Sequence, residues 1–350
     1  RRRPLGKKLL SVKQPRRRQR VKPLSVVRQP GSAKVLINAE DTKPVAETRR
    51  AFSFPPVKIG LHYCPDKQFG TSGAYMRPIG FTRPFTPLGR ASMTAPMPWR
   101  FAGDLYVVHF KTDPAALSAL LPAPLTPADK PDEAFMWSTH FSVYPDEDGA
   151  ESWINPARSH YNVLVIGVPC KLNGKNTMLS AFQWCDKDWL VVMSWFLGAC
   201  SKLADIDESK THPLMAGTGS PQTGALGTHI SRWASRNGQR IVSFSITPDE
   251  VIGIEDLNFY TSNLPLTCER HFPDVHYPPR GDPDVHDLCQ MVMEGVEFGE
   301  IRKGPATLSF GDDDNEELLP IQPTEVLGGY VLPMGFKLMG INVIHDYLAD

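Results

Sequence analysis

The chain has 350 residues, 41% hydrophobic and 22% charged, which excludes fibrous, collagen-like and wholly disordered proteins and leaves room for one large core or two modest ones. Its 38 Lys and Arg balance 38 Asp and Glu, but that zero averages two unlike parts. Residues 1–50 hold 16 basic and three acidic residues, leaving 22 basic and 35 acidic in residues 51–350, and an acidic domain of that kind is a poor partner for nucleic acid.

Residues 1–75 carry Arg1-Arg2-Arg3, Lys7-Lys8 and Arg16-Arg17-Arg18 among prolines 4, 15, 23, 30 and 44, with no sustained apolar periodicity. They read as a basic, Pro-rich disordered leader, or as an artefact translated upstream of a start at Met76. A mitochondrial presequence would also be Arg-rich, but its amphipathic helix is opposed by Pro4, Pro15, Pro23 and Pro30. A basic nuclear or nucleic-acid tail fits the Arg clusters. Residues 76–98 read as a linker and 99–350 as the domain.

From Trp99 onward short strand-like runs alternate with turn signals. Leu105–Phe110 is β-branched and aromatic, and Asp113-Pro114 supplies an N-cap and a first-turn proline for a helix over Ala115–Leu121. Asn162–Val168 and Met178–Trp184 read as strands with a hairpin at Asn173-Gly174, and Gln239–Ile246 follows a second Asn-Gly pair. Further strands are expected at Gln290–Phe298, Ala306–Phe310, Thr324–Leu332 and Phe336–Ile344. Many strands and few helices predict an α+β domain on a large antiparallel sheet or barrel. The longest apolar stretch, Trp189–Cys200, is 12 residues, short of the roughly 20 a membrane helix needs.

Six scattered cysteines with no apolar signal segment ahead of them predict free thiols and a reducing, cytoplasmic location, or a mitochondrial one if the leader targets the chain. There is no phosphate-binding loop, dinucleotide fingerprint, nucleophile elbow or zincin motif. Cys268, His271, His276, His286 and Cys289 cluster within 22 residues, but neither half has an established zinc spacing, and no metal is expected there. Lys202 follows the apolar run Trp189–Cys200. Desolvation lowers the pKa of such an amine and frees it to attack a carbonyl, whereas a lysine at an apolar helix end more often reaches to water.

Lys303-Gly304-Pro305 leading a strand, Leu319-Pro320, Tyr330-Val331-Leu332-Pro333 and the ending Val343-Ile344-His345-Asp346-Tyr347-Leu348 resemble the closing segment of the acetoacetate decarboxylase family. Trp99–Phe101, Leu105–Asp113, Asn173-Gly174 and Asp186 extend the resemblance upstream over about residues 99–350. It implies a cone-like antiparallel β-barrel with flanking helices, an apolar pocket, frequent homo-oligomers and no organic cofactor. It also places Lys202 on the family's Schiff-base lysine, with a keto acid as substrate. Acetoacetate decarboxylase is itself the standing example of a lysine activated by desolvation or a neighbouring cation.

The chain departs from that pattern at three supports. The second lysine that follows the nucleophile is Leu203, the pocket glutamate falls on Val163, and the substrate-binding arginine falls on Gly103 or Asp104. Burial by Trp195 and Phe196 would have to depress the amine's pKa, and Arg270 is the candidate to replace the lost arginine. The implied activity is a lysine-dependent lyase, a decarboxylase of a β-keto acid or a larger keto acid. Imine-forming aldolase or dehydratase chemistry is an alternative, as is a non-catalytic small-molecule-binding relative with Lys202 held in a salt bridge.

Overall fold

A computed structural model describes residues 82–84, 91–94, 97–145, 156–210, 225–257 and 265–349. Contacts divide the chain at Ser72 and Gly73, and every described residue lies in the second unit. The expected leader over 1–75 is outside the described residues.

Strand β1 (Trp99–Lys111) leads to helix α1 (Pro114–Ala119), whose start is fixed as its sequence predicts, Asp113 Oδ1 accepting from the Ala115 N–H at 2.8 Å ahead of Pro114. Next come β2 (Thr126–Pro127), β3 (Glu133–Pro145), a one-turn helix α2 (Pro156–Ser159), β4 (His160–Leu172) and β5 (Lys175–Cys185). Asn173 and Gly174 join β4 to β5 with φ of 51° and 77°, the left-handed pair that a tight hairpin needs. Helix α3 (Asp188–Phe196) and β6 (Lys202–Leu203) follow. Then come β7 (Asp205–Glu208), β8 (Ile230–Arg236), β9 (Gln239–Ile246) and β10 (Glu250–Ile252). The chain ends with β11 (Leu266–Phe272), β12 (Val285–Phe298), β13 (Ile301–Gly304), β14 (Ala306–Phe310) and β15 (Glu325–Asp346).

Two sheets result. The larger has eleven strands, nine of them running β1-β3-β4-β5-β11-β12-β15-β13-β10 with β2 beside β4 and β6 beside β5, and because β15 also pairs with β1 its hydrogen-bonded path returns to its start. The smaller has the order β14-β9-β8-β7. The single antiparallel sheet expected from the sequence is corrected in two respects. A second sheet packs beside the first, and the large sheet is mixed, since β6 and β11 both run parallel to β5. The chain leaves β5, crosses through α3 and returns alongside in the same direction, a route that a hairpin cannot make.

The two strands expected at Thr324–Leu332 and Phe336–Ile344 are one 22-residue strand, β15, running through Pro333. On one edge β15 pairs with β13 through Gly329–Val331 and with β12 from Met334 onward. Pro333 lies in the gap between those partners, where the ladder asks for no N–H.

Period-two alternation gives the large sheet two apolar faces. Tyr106, Val108, Phe110, Met136, Leu164 and Trp184 pack against Val242, Phe244 and Phe310 of the small sheet. The opposite face, with Phe101, Phe141, Tyr161 and Val163, takes α3 through Trp189, Leu190 and Met193. Burying Leu190 and Met193 contributes about 1.5–3 kcal/mol each. No helix among the described residues is long and apolar enough to cross a membrane.

Candidate functional site

The inner face of the large sheet and α3 line a half-open cavity of about 190 Å³. Register brings its wall together: Leu105 lies opposite Thr139 and Thr139 opposite Val163, while Val165 lies opposite Gln183. Gly103 faces Phe141 so closely that a Cβ there would stand 2.7 Å from the ring and 2.0 Å from the His140 carbonyl oxygen, so a larger residue cannot occupy the position. The lining is aromatic (Phe101, Trp137, Phe141, Tyr161, Phe336) and methionine-rich (Met178, Met193, Met291, Met293, Met334). Its polar groups are few: besides the Tyr161 phenol, which burial keeps protonated by raising its pKa, they are Thr139, Gln183 and Ser194. No lysine, arginine, histidine or carboxylate is among the described lining residues.

Helix α3 ends at Leu197, and Gly198 turns the chain with φ of 87°. A Cβ on Gly198 would come within 2.8 Å of Cys289 Sγ and 2.9 Å of both Cys268 Cβ and Arg270 Cγ. Gly198→Ala combines a left-handed backbone with overpacking and should cost about 2–4 kcal/mol, read as a lowered urea midpoint at unchanged slope. A loss below half of that would mean the turn relaxes.

The segment after Gly198 decides what reaches the cavity. Ser201 is 2% exposed and faces inward, its Oγ accepting from Gln183 Nε2 at 2.6 Å, while the same amide donates to Ser194 Oγ at 3.2 Å. Trp195 Nε1 donates to the Ser201 carbonyl at 2.9 Å and fixes the main chain there. Lys202, the next residue, pairs in β6 with Trp184, whose side chain lies on the small-sheet face, and turns the other way. Its Nζ donates to Glu316 Oε2 at 2.7 Å and to the Asn315 carbonyl at 3.2 Å. Glu316, with its side chain 1% exposed, also accepts from Trp184 Nε1 at 2.9 Å and meets Arg236 Nε at 3.3 Å.

Of the residues singled out from the sequence, Val163 lines the cavity and the others lie elsewhere. Trp195 and Phe196 are 39% and 46% exposed, their rings against Phe272. Arg270 lies directly opposite Asp287 across β11 and β12 and donates to it through both Nε and Nη2, the bidentate pair that raises its pKa. Asp104 is on the face away from the cavity, and burial raises its pKa. Gln183, Ser194, Ser201 and Thr139 were not singled out. Their signal is a polar residue interrupting an inward-facing apolar series, which becomes readable only once the facing is known.

The cysteine and histidine cluster separates into different places. Cys268 and Cys289 are opposite one another in β11 and β12 and buried, and burial raises both thiol pKa values, that of Cys289 to about 12. His271 and His286 form a separate rung nearer the loop. The grouping there that could hold a cation is Asp274, His276 and Asp284. It is already bridged by Arg280 Nη2, which meets His276 Nε2 and Asp284 Oδ1 at 2.6 Å each. The five described cysteines, Cys170, Cys185, Cys200, Cys268 and Cys289, are free thiols.

A mostly β domain with few helices is the fold of the acetoacetate decarboxylase-like proteins. The model of the acetoacetate decarboxylase family matches residues 82–348, and the chain belongs to that family. It is similar to the enduracididine biosynthesis enzyme MppR complexed with the condensation product of pyruvate and imidazole 4-carboxaldehyde. That likeness has 27% identity and a TM-score of 0.68 over 79% of this chain and 100% of the other. An acetoacetate decarboxylase-like enzyme from Sphingomonas wittichii RW1 has 26% identity and a TM-score of 0.68 over 76% and 99%. Acetoacetate decarboxylase from Legionella pneumophila shares the fold at 14% identity, with a TM-score of 0.59 over 75% and 94%. No curated protein matches the chain in sequence.

Proposed function

We propose that this member of the family binds a small molecule in the cavity between the large sheet and α3 without forming a Schiff base through Lys202. One observation carries the proposal: Lys202 Nζ donates to Glu316 and Asn315, while the residue turned toward the cavity side, Ser201, has no amine. An attacking amine needs a free lone pair within reach of the bound carbonyl. For Lys202 to supply one, it would have to leave a buried carboxylate already shared with Arg236 and cross to the opposite face of its own strand.

The second reading is a lysine-dependent lyase with Lys202 as nucleophile, acting on a β-keto or α-keto acid by decarboxylation or by aldol or dehydration chemistry. Membership of the family supports it, as does a relative complexed with pyruvate. Borohydride reduction in the presence of pyruvate or acetoacetate, followed by peptide mass mapping, separates the two. Under the first reading the peptide containing Lys202 stays unmodified and acetoacetate loses CO2 no faster than in buffer. An adduct on Lys202 that disappears in Lys202→Met would overturn it.

A further inference from the structure

We infer that the cavity is built for an uncharged molecule of about one ring in size bearing a single hydroxyl or carbonyl group, and that it discriminates against carboxylates. This inference rests on the reading that no imine forms there.

Size sets the first bound. An apolar protein cavity of about 150 Å³ holds a benzene molecule, so about 190 Å³ takes one ring and a small substituent. The aromatic and methionine walls set the second, offering dispersion contacts and polarisable, adaptable side chains. Charge sets the third. The described lining contains no cationic side chain, and Arg270, the cation expected to anchor a carboxylate, is spent on Asp287. A carboxylate would enter such a space unpaired, at a desolvation cost that aliphatic and aromatic contacts cannot offset.

The polar groups then say what the ligand must carry. Thr139 lines the cavity, is 3% exposed, and its Oγ1 has no hydrogen-bond partner among the described residues. A buried hydroxyl left unsatisfied costs more than an ordinary bond returns, so a ligand group that completes it is selected strongly. Gln183 adds a fixed neighbour. Its Nε2 is committed to Ser194 and Ser201, which holds the amide in place, and its Oε1 has no donor among the described residues. A hydroxyl can donate to Gln183 Oε1 and accept from Thr139, and a carbonyl can accept from Thr139.

The test uses the full chain and four ring compounds of one size: benzyl alcohol, benzaldehyde, toluene and benzoate, titrated by calorimetry or ligand-observed NMR. Benzyl alcohol should bind about tenfold more tightly than toluene, and benzoate at least about a hundredfold more weakly than the alcohol. Thr139→Val, which keeps the shape, should remove the preference of the alcohol over toluene while leaving toluene binding and the urea midpoint unchanged or raised, because it deletes an unsatisfied hydroxyl. Benzoate binding as well as the alcohol, or an intact alcohol preference in Thr139→Val, would overturn the inference. Those outcomes leave the absence of a Lys202 imine untouched, since the borohydride experiment reads it separately. An adduct on Lys202 would instead remove the reading beneath it.

Discussion

Ser201→Lys should give a protein that borohydride couples covalently to benzaldehyde, where the native chain gives no adduct. The expected change runs from undetectable to stoichiometric labelling, because position 201 faces the side of the sheet on which Gln183 borders the cavity. A lysine there would extend past Gln183 into apolar space, where desolvation disfavours the ammonium and leaves a neutral amine at ordinary pH. The geometry also predicts indifference to the neighbour: Ser201→Lys with Lys202→Met should label as fully as Ser201→Lys alone. A folded Ser201→Lys protein without adduct, or label on Lys202 in that protein or in the native chain, would show that the two positions face the other way. A circular-dichroism melt alongside separates loss of reactivity from loss of fold.

Glu208→Ala should destabilise the protein by about 3–5 kcal/mol, the cost of stranding a buried cation without its partner. The side chain of Arg232 on β8 is 0% exposed, and its Nη1 donates to Glu208 Oε2 at 2.6 Å. Its Nη2 reaches Asn162 Oδ1 at 2.9 Å and the Thr139 carbonyl at 3.2 Å, and the guanidinium lies 4.7 Å over the Tyr106 ring. This ties β7 and β8 of the small sheet to β1, β3 and β4, directly behind the cavity wall. Arg232→Met, which removes the charge instead of its partner, should cost less than Glu208→Ala, and the order of the two urea midpoints is the check. The same pair sets an acid limit. Burial pushes the Glu208 pKa up, but the hydrogen bond to His140 and the Arg232 charge outweigh burial and leave it lowered. Its contribution is therefore present above the ordinary carboxylate value and fades as pH falls through the depressed one. Asp104 is shifted the other way, chiefly by burial, so its share is present at low pH and lost as pH rises through its raised value. Glu208→Gln should flatten the acid branch of the native stability profile.

Much of the β architecture is legible in the sequence because it is written locally. The Asn-Gly pairs at 173–174 and 237–238 adopt the positive φ that turns require, Asp113-Pro114 caps α1, and Gln239–Ile246 and Ala306–Phe310 are strands as they read. The parallel placement of β6 and β11 is not local, since it depends on which edge the chain returns to after α3 and after the small sheet. Which residues face the candidate site is not legible for a sharper reason. Between Gly198 and β6 one residue of displacement exchanges the two faces of the chain, and composition weighs Lys202 heavily while giving Ser201 no weight. The acid that holds Lys202 was also invisible. The partner is Glu316, more than a hundred residues on, although Asp205, Asp207 and Glu208 lie much nearer in the chain.

Strand β15 carries a consequence for how the molecule is made. It closes the hydrogen-bonded circuit against β1, with Trp99 beside Leu338, and it supplies Met334, Phe336 and Leu338 to the cavity. A nascent chain can pair β3, β4 and β5 as they emerge, but the cavity lacks the wall that β15 supplies until the chain through Asp346 has left the ribosome. Until then β1 presents an open edge and an apolar face, so synthesis has an interval of exposure set by the topology and ended by β15.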